Sequence, residues 1–192
     1  MKSWNILIAG VGGQGTLLTS RILGALAQAA GYDVKVSEVH GMAQRGGSVV
    51  TFVKMAEKVN TPILEYGEAD VLLAFEQLEA LRYAAYVKEG GTILANTQKI
   101  SPMPVVMGKQ PYPDDIIGKL RQRNAVVFSV NALEKALKAG NFKAVNTVML
   151  GALSSIMDIE DALWLDALKQ CVPTKLLDVN LKAFGEGREL MV

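Results

Sequence analysis

One thiol, Cys171, and one imidazole, His40, are the whole complement of cysteine and histidine in this 192-residue sequence. A lone cysteine cannot close an internal disulfide or supply the four thiolates of an iron–sulfur cluster, and one of each is too few for a Cys/His zinc site. A Ser-His-Asp or Cys-His arrangement would have to be built on His40, yet no nucleophile signature surrounds it or Cys171. The sequence therefore predicts no catalytic residue and no metal ligand set of its own. Its polar chemistry gathers in two glycine-rich stretches. The first, Gly10-Val11-Gly12-Gly13-Gln14-Gly15, has the form GxGxxG. The second runs from Glu38 to Gly47 and places Glu38, His40, Gln44 and Arg45 beside Gly41, Gly46 and Gly47.

In a GxGxxG loop the first glycine permits a tight turn, the second lets a ligand approach the backbone, and the third lets a helix pack on the preceding strand. Free amides at the start of that helix, from Thr16 onward, favour a phosphate or carboxylate. No lysine follows Gly15, so the loop is not the GxxxxGK[ST] cradle of nucleotide hydrolases. Three readings stay open for Gly12, Gly13, Gln14, Gly15 and Thr16: an anion cradle, a turn that holds nothing, and a nicotinamide dinucleotide site. The last needs an acid at the end of the second strand to hold a ribose hydroxyl, and Glu38 stands 23 residues beyond Gly15. A free-standing NAD(P)-dependent dehydrogenase would also need a proton donor, for which His40 is the sole imidazole. Arg45 suits bidentate binding of a phosphate or carboxylate, joined by the amides of Gly46 and Gly47. As a surface ion-pair partner it would do none of this.

Periodicity supplies the elements that must position these loops. Trp4 to Ala9 is a short apolar run that reads as a buried strand leading into the glycine loop. Leu18, Ile22, Ala25, Leu26 and Ala29 recur at helical spacing, and Gly31 stands where a helix stops. Asp33 to Ser37 predicts a second strand, Glu38 to Gly47 a long polar loop, and Ser48 to Met55 a third strand rich in β-branched residues. Ala69 to Phe75 and Thr92 to Asn96 are further strands around a helix over 78–87 that stops at Gly90-Gly91. Thr97 to Pro113 holds four of the six prolines and predicts an extended excursion, followed by a helix over 114–123 and a strand over 125–129. Four helices fill the rest: 131–139, 144–157, 161–171 and 174 to about 185. The expectation is a single three-layer α/β/α Rossmann-like domain over 1–192, with a mostly parallel sheet and a helical C-terminal third. In such a sheet both glycine loops would emerge at the carboxyl ends of strands and face one crevice.

Lys plus Arg number 20 against 19 Asp plus Glu, a formal charge of +1, which leaves no broad field to gather nucleic acid or anionic lipid. Half of the residues are hydrophobic, yet no apolar run approaches the ~18 residues that span a bilayer. The stretch from Trp4 to Val11 is too short, and too soon followed by glycines, for a secretion signal. A soluble chain in a reducing cytoplasm is expected. Among the late helices, Asn146 shares a stripe with Met149, Leu150, Leu153 and Met157, and Asn180 one with Leu177 and Phe184. Both asparagines are expected to cap or bridge to neighbouring backbone, with ligand contact as the alternative, because buried polar side chains are hydrogen-bonded.

GVGGQG opening a helix, SEVHGMAQRGGSV after the second strand, and ADVLLAFEQLEALRYAAYVKEGGTILANTQKI together resemble the gamma-type subunits of 2-oxoacid:ferredoxin oxidoreductases. The resemblance runs from Ile6 to Gly187 and is strongest to the indolepyruvate branch, through HGMAQRGG, NTQKI and SPMPVVMGK. Asn146 to Gly151, and Asn180 with Ala183, Phe184 and Gly187, are similar to the family's helical signatures. The resemblance implies oxidative decarboxylation of a 2-oxoacid, ferredoxin reduction and capture of the acyl group by coenzyme A. It also implies that thiamine diphosphate, Mg²⁺ and iron–sulfur clusters sit on a larger partner subunit, because this chain shows no GD…N pattern and lacks cluster ligands. The residues it marks for coenzyme A phosphates are Gly12, Gly13, Gln14, Gly15, Thr16, Glu38, His40, Gln44, Arg45, Gly46 and Gly47, none with a role in proton transfer. The proline-rich excursion and the GMAQRGG stretch are the expected docking surfaces.

Overall fold

A computed structural model describes residues 2–40 and 46–191. In chain order the elements are β1 (Trp4–Val11), α1 (Thr16–Ala29), β2 (Asp33–His40), β3 (Ser48–Ala56), β4 (Ala69–Ala74), α2 (Gln77–Tyr83) and β5 (Val87–Asn96). There follow α3 (Met103–Val106), α4 (Ile116–Arg121), β6 (Val126–Val130), α5 (Ala132–Ala139), α6 (Val145–Ser154), α7 (Asp161–Cys171) and α8 (Thr174–Glu189). Short 3₁₀ turns over Ala84–Tyr86 and Phe142–Ala144 lead into β5 and α6.

The six strands form one sheet in the order β2-β3-β1-β4-β5-β6. β1, β4, β5 and β6 are mutually parallel, whereas β3 lies antiparallel between β2 and β1. Two reversals leave β2 running the same way as β1, so both carboxyl ends point to one edge. The expected mostly parallel α/β architecture is present, with helices on both faces. One face packs Ile6, Ile8, Val53 and Leu73 against Leu23 and Leu26 of α1, Val148 of α6 and Trp164 of α7. The other packs Leu7, Leu72 and Ile93 against Ala80 of α2 and Leu120 of α4. Along α1 the buried face is Ile22, Leu23, Leu26 and Ala27, one position round from the predicted stripe, and Ala29 is exposed.

Two predicted boundaries move. β2 continues through Glu38, Val39 and His40, which pair in register with Thr51, Val50 and Val49, so the first residues of the expected polar loop are strand. Gly90-Gly91 does not end a helix; it lies within β5, beside the register shift against β4. In the helical third, α6 and α8 cross with almost no space between them. A Cβ on Gly151 would stand 2.0 Å from the carbonyl oxygen of Phe184, and one on Gly187 would stand 2.0 Å from that of Val148. Glycine is required at both places because backbone meets backbone. Among the described residues no helix is long and apolar enough to cross a membrane.

Candidate functional site

The glycine loop leaves β1 at Val11 and delivers the chain into α1 through Gly15, whose φ of 88° is the left-handed conformation that favours glycine. Two backbone hydrogen bonds join it to the second glycine stretch: Gly12 N–H donates to Gly47 at 2.9 Å, and Gly46 N–H donates to Gly12 at 3.2 Å. The expected meeting of the two loops is thus made by main chain. The Gly12 and Gly46 amides are thereby committed to carbonyls, whereas the amides of the first turn of α1 have no acceptor inside the helix and can take an anion.

Gln14 behaves differently from its glycine neighbours. Its Oε1 accepts from Val11 N–H at 2.8 Å, and its Nε2 donates to the Phe75 carbonyl at 2.9 Å and to Gln98 Oε1 at 3.2 Å. Asn96 Nδ2 donates to the same Phe75 carbonyl at 3.0 Å, while its Oδ1 accepts from Ala132 N–H at 3.2 Å. Gln14 and Asn96 therefore staple together the carboxyl ends of β1, β4 and β5. The sequence placed Gln14 among ligand contacts; its carboxamide is occupied in holding the loop.

Two buried carboxylates extend this frame. Glu76, fully buried, caps α2 by accepting from Glu79 N–H at 3.0 Å, and it also accepts from Ile100 N–H at 3.0 Å and the Tyr112 hydroxyl at 2.5 Å. One side chain thereby ties both ends of the proline-rich excursion. Burial, with the Glu76 carboxylate as acceptor, holds the Tyr112 phenol protonated well above its ordinary range. Glu79 accepts from Ser48 Oγ at 2.5 Å and from Arg82 Nε at 3.2 Å, fixing the chain where it leaves the second loop. Nothing in the sequence distinguished these two acids from surface residues of a helix start.

Two clefts flank the ridge Gly13–Gly15. The first, of 380 Å³, is lined by Gly12, Gly13, Gly15, Thr16 and Leu17 on one side and by Glu38, His40 and Val49 on the other. It brings together most of the predicted site. Gly46 and Gly47 do not line it but bond to Gly12, which does, whereas Gln44 and Arg45, with Gly41, lie outside the described residues. The Glu38 carboxylate is exposed and accepts from Thr51 Oγ1 at 3.4 Å. With β3 inserted between β2 and β1, Glu38 stands two strand spacings from the glycine loop's own strand, about 10 Å. A dinucleotide fold places that acid on the adjacent strand, so the nicotinamide reading loses its main support.

The second cleft, of 490 Å³, lies on the opposite side of the ridge. Its walls include Gly13, Gly15 and Leu18, then Phe142 to Asn146, Val172, Pro173, Leu176 and Asn180. Asn180 takes the bridging role expected of it, accepting from Thr147 Oγ1 at 2.5 Å and donating to the Leu176 carbonyl at 2.8 Å. Asn146 does not: it is only 3% exposed and lies against Gly15, yet its carboxamide makes no hydrogen bond among the described residues. Cys171 adds no chemistry, because burial raises its thiol pKa, opposed in part by Arg21.

The sequence profile described as Pyruvate ferredoxin/flavodoxin oxidoreductase matches residues 5–190. The chain is 41% identical over 192 residues to indolepyruvate oxidoreductase subunit IorB of Thermococcus kodakarensis, covering 97% of this chain and 95% of that one. It is 30% identical to ketoisovalerate oxidoreductase subunit VorA of Methanothermobacter marburgensis, where 96% of this chain matches only 36% of the relative. Among solved structures, the gamma subunit of a keto/oxoacid ferredoxin oxidoreductase from Geobacter sulfurreducens superposes with a TM-score of 0.74 at 25% identity, covering 98% of both chains.

Proposed function

This chain belongs to the pyruvate ferredoxin/flavodoxin oxidoreductase family, and we propose that it is the non-cluster subunit of an indolepyruvate-type 2-oxoacid:ferredoxin oxidoreductase, acting as one gamma-type unit. The assembled enzyme decarboxylates an aryl 2-oxoacid, passes the electrons to ferredoxin and transfers the acyl group to coenzyme A. Thiamine diphosphate, Mg²⁺ and the iron–sulfur clusters belong to a larger partner, in keeping with the single thiol here.

What this chain contributes is position. The observation that carries the reading is the pair of hydrogen bonds joining Gly12 to Gly46 and Gly47, which fixes the first glycine loop, a wall of the cleft, against the end of the second glycine stretch. A coenzyme A phosphate fits at the opening turn of α1, where amides and the helix dipole favour an anion. Glu38 across the cleft would repel a phosphate beside it and suits a ribose hydroxyl instead. No residue of the cleft is assigned proton transfer. Docking falls to the proline-rich excursion, where Met103, Val106 and Met107 stand 68%, 68% and 58% exposed around α3, an apolar hook of the kind that interfaces bury.

The test is to tag the chain in its native host, purify it without oxygen and assay indolepyruvate-dependent reduction of a viologen dye at varied coenzyme A. A large iron–sulfur companion with that activity is expected, and Glu38→Gln should raise KM for coenzyme A about five-fold by weakening a charge-assisted bond. A chain that comes away alone, or a complex equally active without it, would overturn the subunit reading. An unchanged KM would remove coenzyme A from the Glu38 cleft.

A further inference from the structure

The 490 Å³ cleft beyond the glycine ridge is bordered by the starts of three long helices. Gly15 precedes α1, Ala144 precedes α6 and Pro173 precedes α8, and all three residues line it. None of these starts has a side-chain cap, and none has an acidic residue in its first turn. Three other helices carry such caps, Glu76, Asp115 and Asn131 accepting from the first turns of α2, α4 and α5, and uncapped α7 has Asp161 in its first turn. The start of α6 continues from the 3₁₀ turn that Asn141 caps, so two uncapped positive ends, those of α1 and α8, open on one space that no described carboxylate lines, with Lys143 at its lip.

The second observation is independent of the helices. Asn146 is buried, its carboxamide lies against Gly15 on the cleft wall, and it makes no hydrogen bond among the described residues. With no partner among the described residues, the amide is left to bond whatever occupies the cleft. Leu18, Phe142, Val145, Val172 and Leu176 make most of the remaining wall apolar, interrupted by the side chains of Gln14, Gln98, Asn141 and Asn180.

We propose that this cleft is a second ligand site, for an organic anion carried on an apolar body, with the anion at the converging helix starts and Asn146 as its hydrogen-bond donor. Two sources share that chemistry: the carboxylate of an aromatic acid, and a phosphate of coenzyme A reaching across the ridge from the Glu38 side. The site does not depend on the coenzyme reading.

The experiment uses the purified full chain, isotope-labelled for amide NMR, with phenylacetate, its neutral analogue phenylacetamide, and coenzyme A as probes. Phenylacetate is expected to move the Asn146 side-chain and Gly15 resonances and to bind about ten-fold more tightly than phenylacetamide. Asn146→Asp, which brings a like charge at unchanged size, should weaken it about ten-fold, and Lys143→Glu on the exposed lip several-fold. Lys143→Glu gives the answer where Asn146→Asp does not fold. Displacement of phenylacetate by coenzyme A would name the coenzyme as the source. Phenylacetate binding here, with coenzyme A binding nowhere, would uphold this site while removing the coenzyme reading. The inference is overturned if phenylacetamide binds as well as phenylacetate, if no probe moves the Asn146 resonance, or if the charge-altering variants bind unchanged.

Discussion

The two clefts share the ridge Gly13–Gly15 and are built by opposite means. The Glu38 cleft is a product of strands: a hairpin edge, a glycine turn and two main-chain hydrogen bonds bring it together, and it carries a carboxylate. The Asn146 cleft is a product of helices, closed by segments more than a hundred residues from the ridge, and is lined by no described acid. Local chain geometry sets the first, and the depth to which α6 and α8 pack sets the second.

Changes at the helix crossing should separate the two most strongly. Gly187→Leu drives a side chain into the carbonyl of Val148, which a Cβ already approaches to 2.0 Å. Overpacking of this kind costs about 3 kcal/mol, and the midpoint of thermal unfolding should fall by about 10 °C. Hydrogen exchange should speed first in α6 and α8; equal acceleration in β2 and β3 would mean that the clefts are not independent. Gln14→Ala acts on the ridge common to both. It strands the Val11 amide and takes one donor from the Phe75 carbonyl, at a cost of about 2 kcal/mol in chemical denaturation. Both clefts should loosen together, and a variant as stable as the parent would show that the staple is dispensable.

The smallest effect lies away from both clefts, where α8 meets α5 and Glu186 accepts from Lys135 and Lys138 at 2.8 and 2.7 Å. The two lysines lower the Glu186 pKa from its ordinary 4.5, and Glu186 raises that of Lys135 from 10.5. A lowered carboxylate pKa stabilises above its unfolded value and loses that support as pH falls through the folded one. A raised lysine pKa stabilises below its unfolded value and loses it as pH rises through the folded one. Lys135→Met should therefore lower the unfolding midpoint by about 1–3 °C between pH 6 and 9, and by nothing near pH 3. A difference that persists in acid would assign the effect to packing.

Much of this was legible in the sequence where cause is local. The run Trp4 to Ala9, the glycines through Gly15 and the stripe of α1 announce a strand, a turn and a helix, and all three stand within a residue or two of their expected places. Glu38 and His40 were read as loop because their polarity hides a pairing with Thr51 and Val49 that only the hairpin reveals. Gly90-Gly91 looked like a helix stop because the same residues serve a bulged strand. Asn180 met its predicted bonds through Thr147 and Leu176. Asn146, on the same kind of stripe, did not: it lies against Gly15, which has no side chain to bond. Periodicity gives the side of a helix that is buried and is silent on what lies opposite.

The bridge between Gly12 and Gly46–Gly47 also divides labour along the chain. It ties the start of β3 to the glycine loop after β1, while His40 at the end of β2 pairs with Val49 of β3. Because the bridge runs from main chain to main chain, it makes no demand on any side chain, and the frame it holds is independent of the side chains that border it.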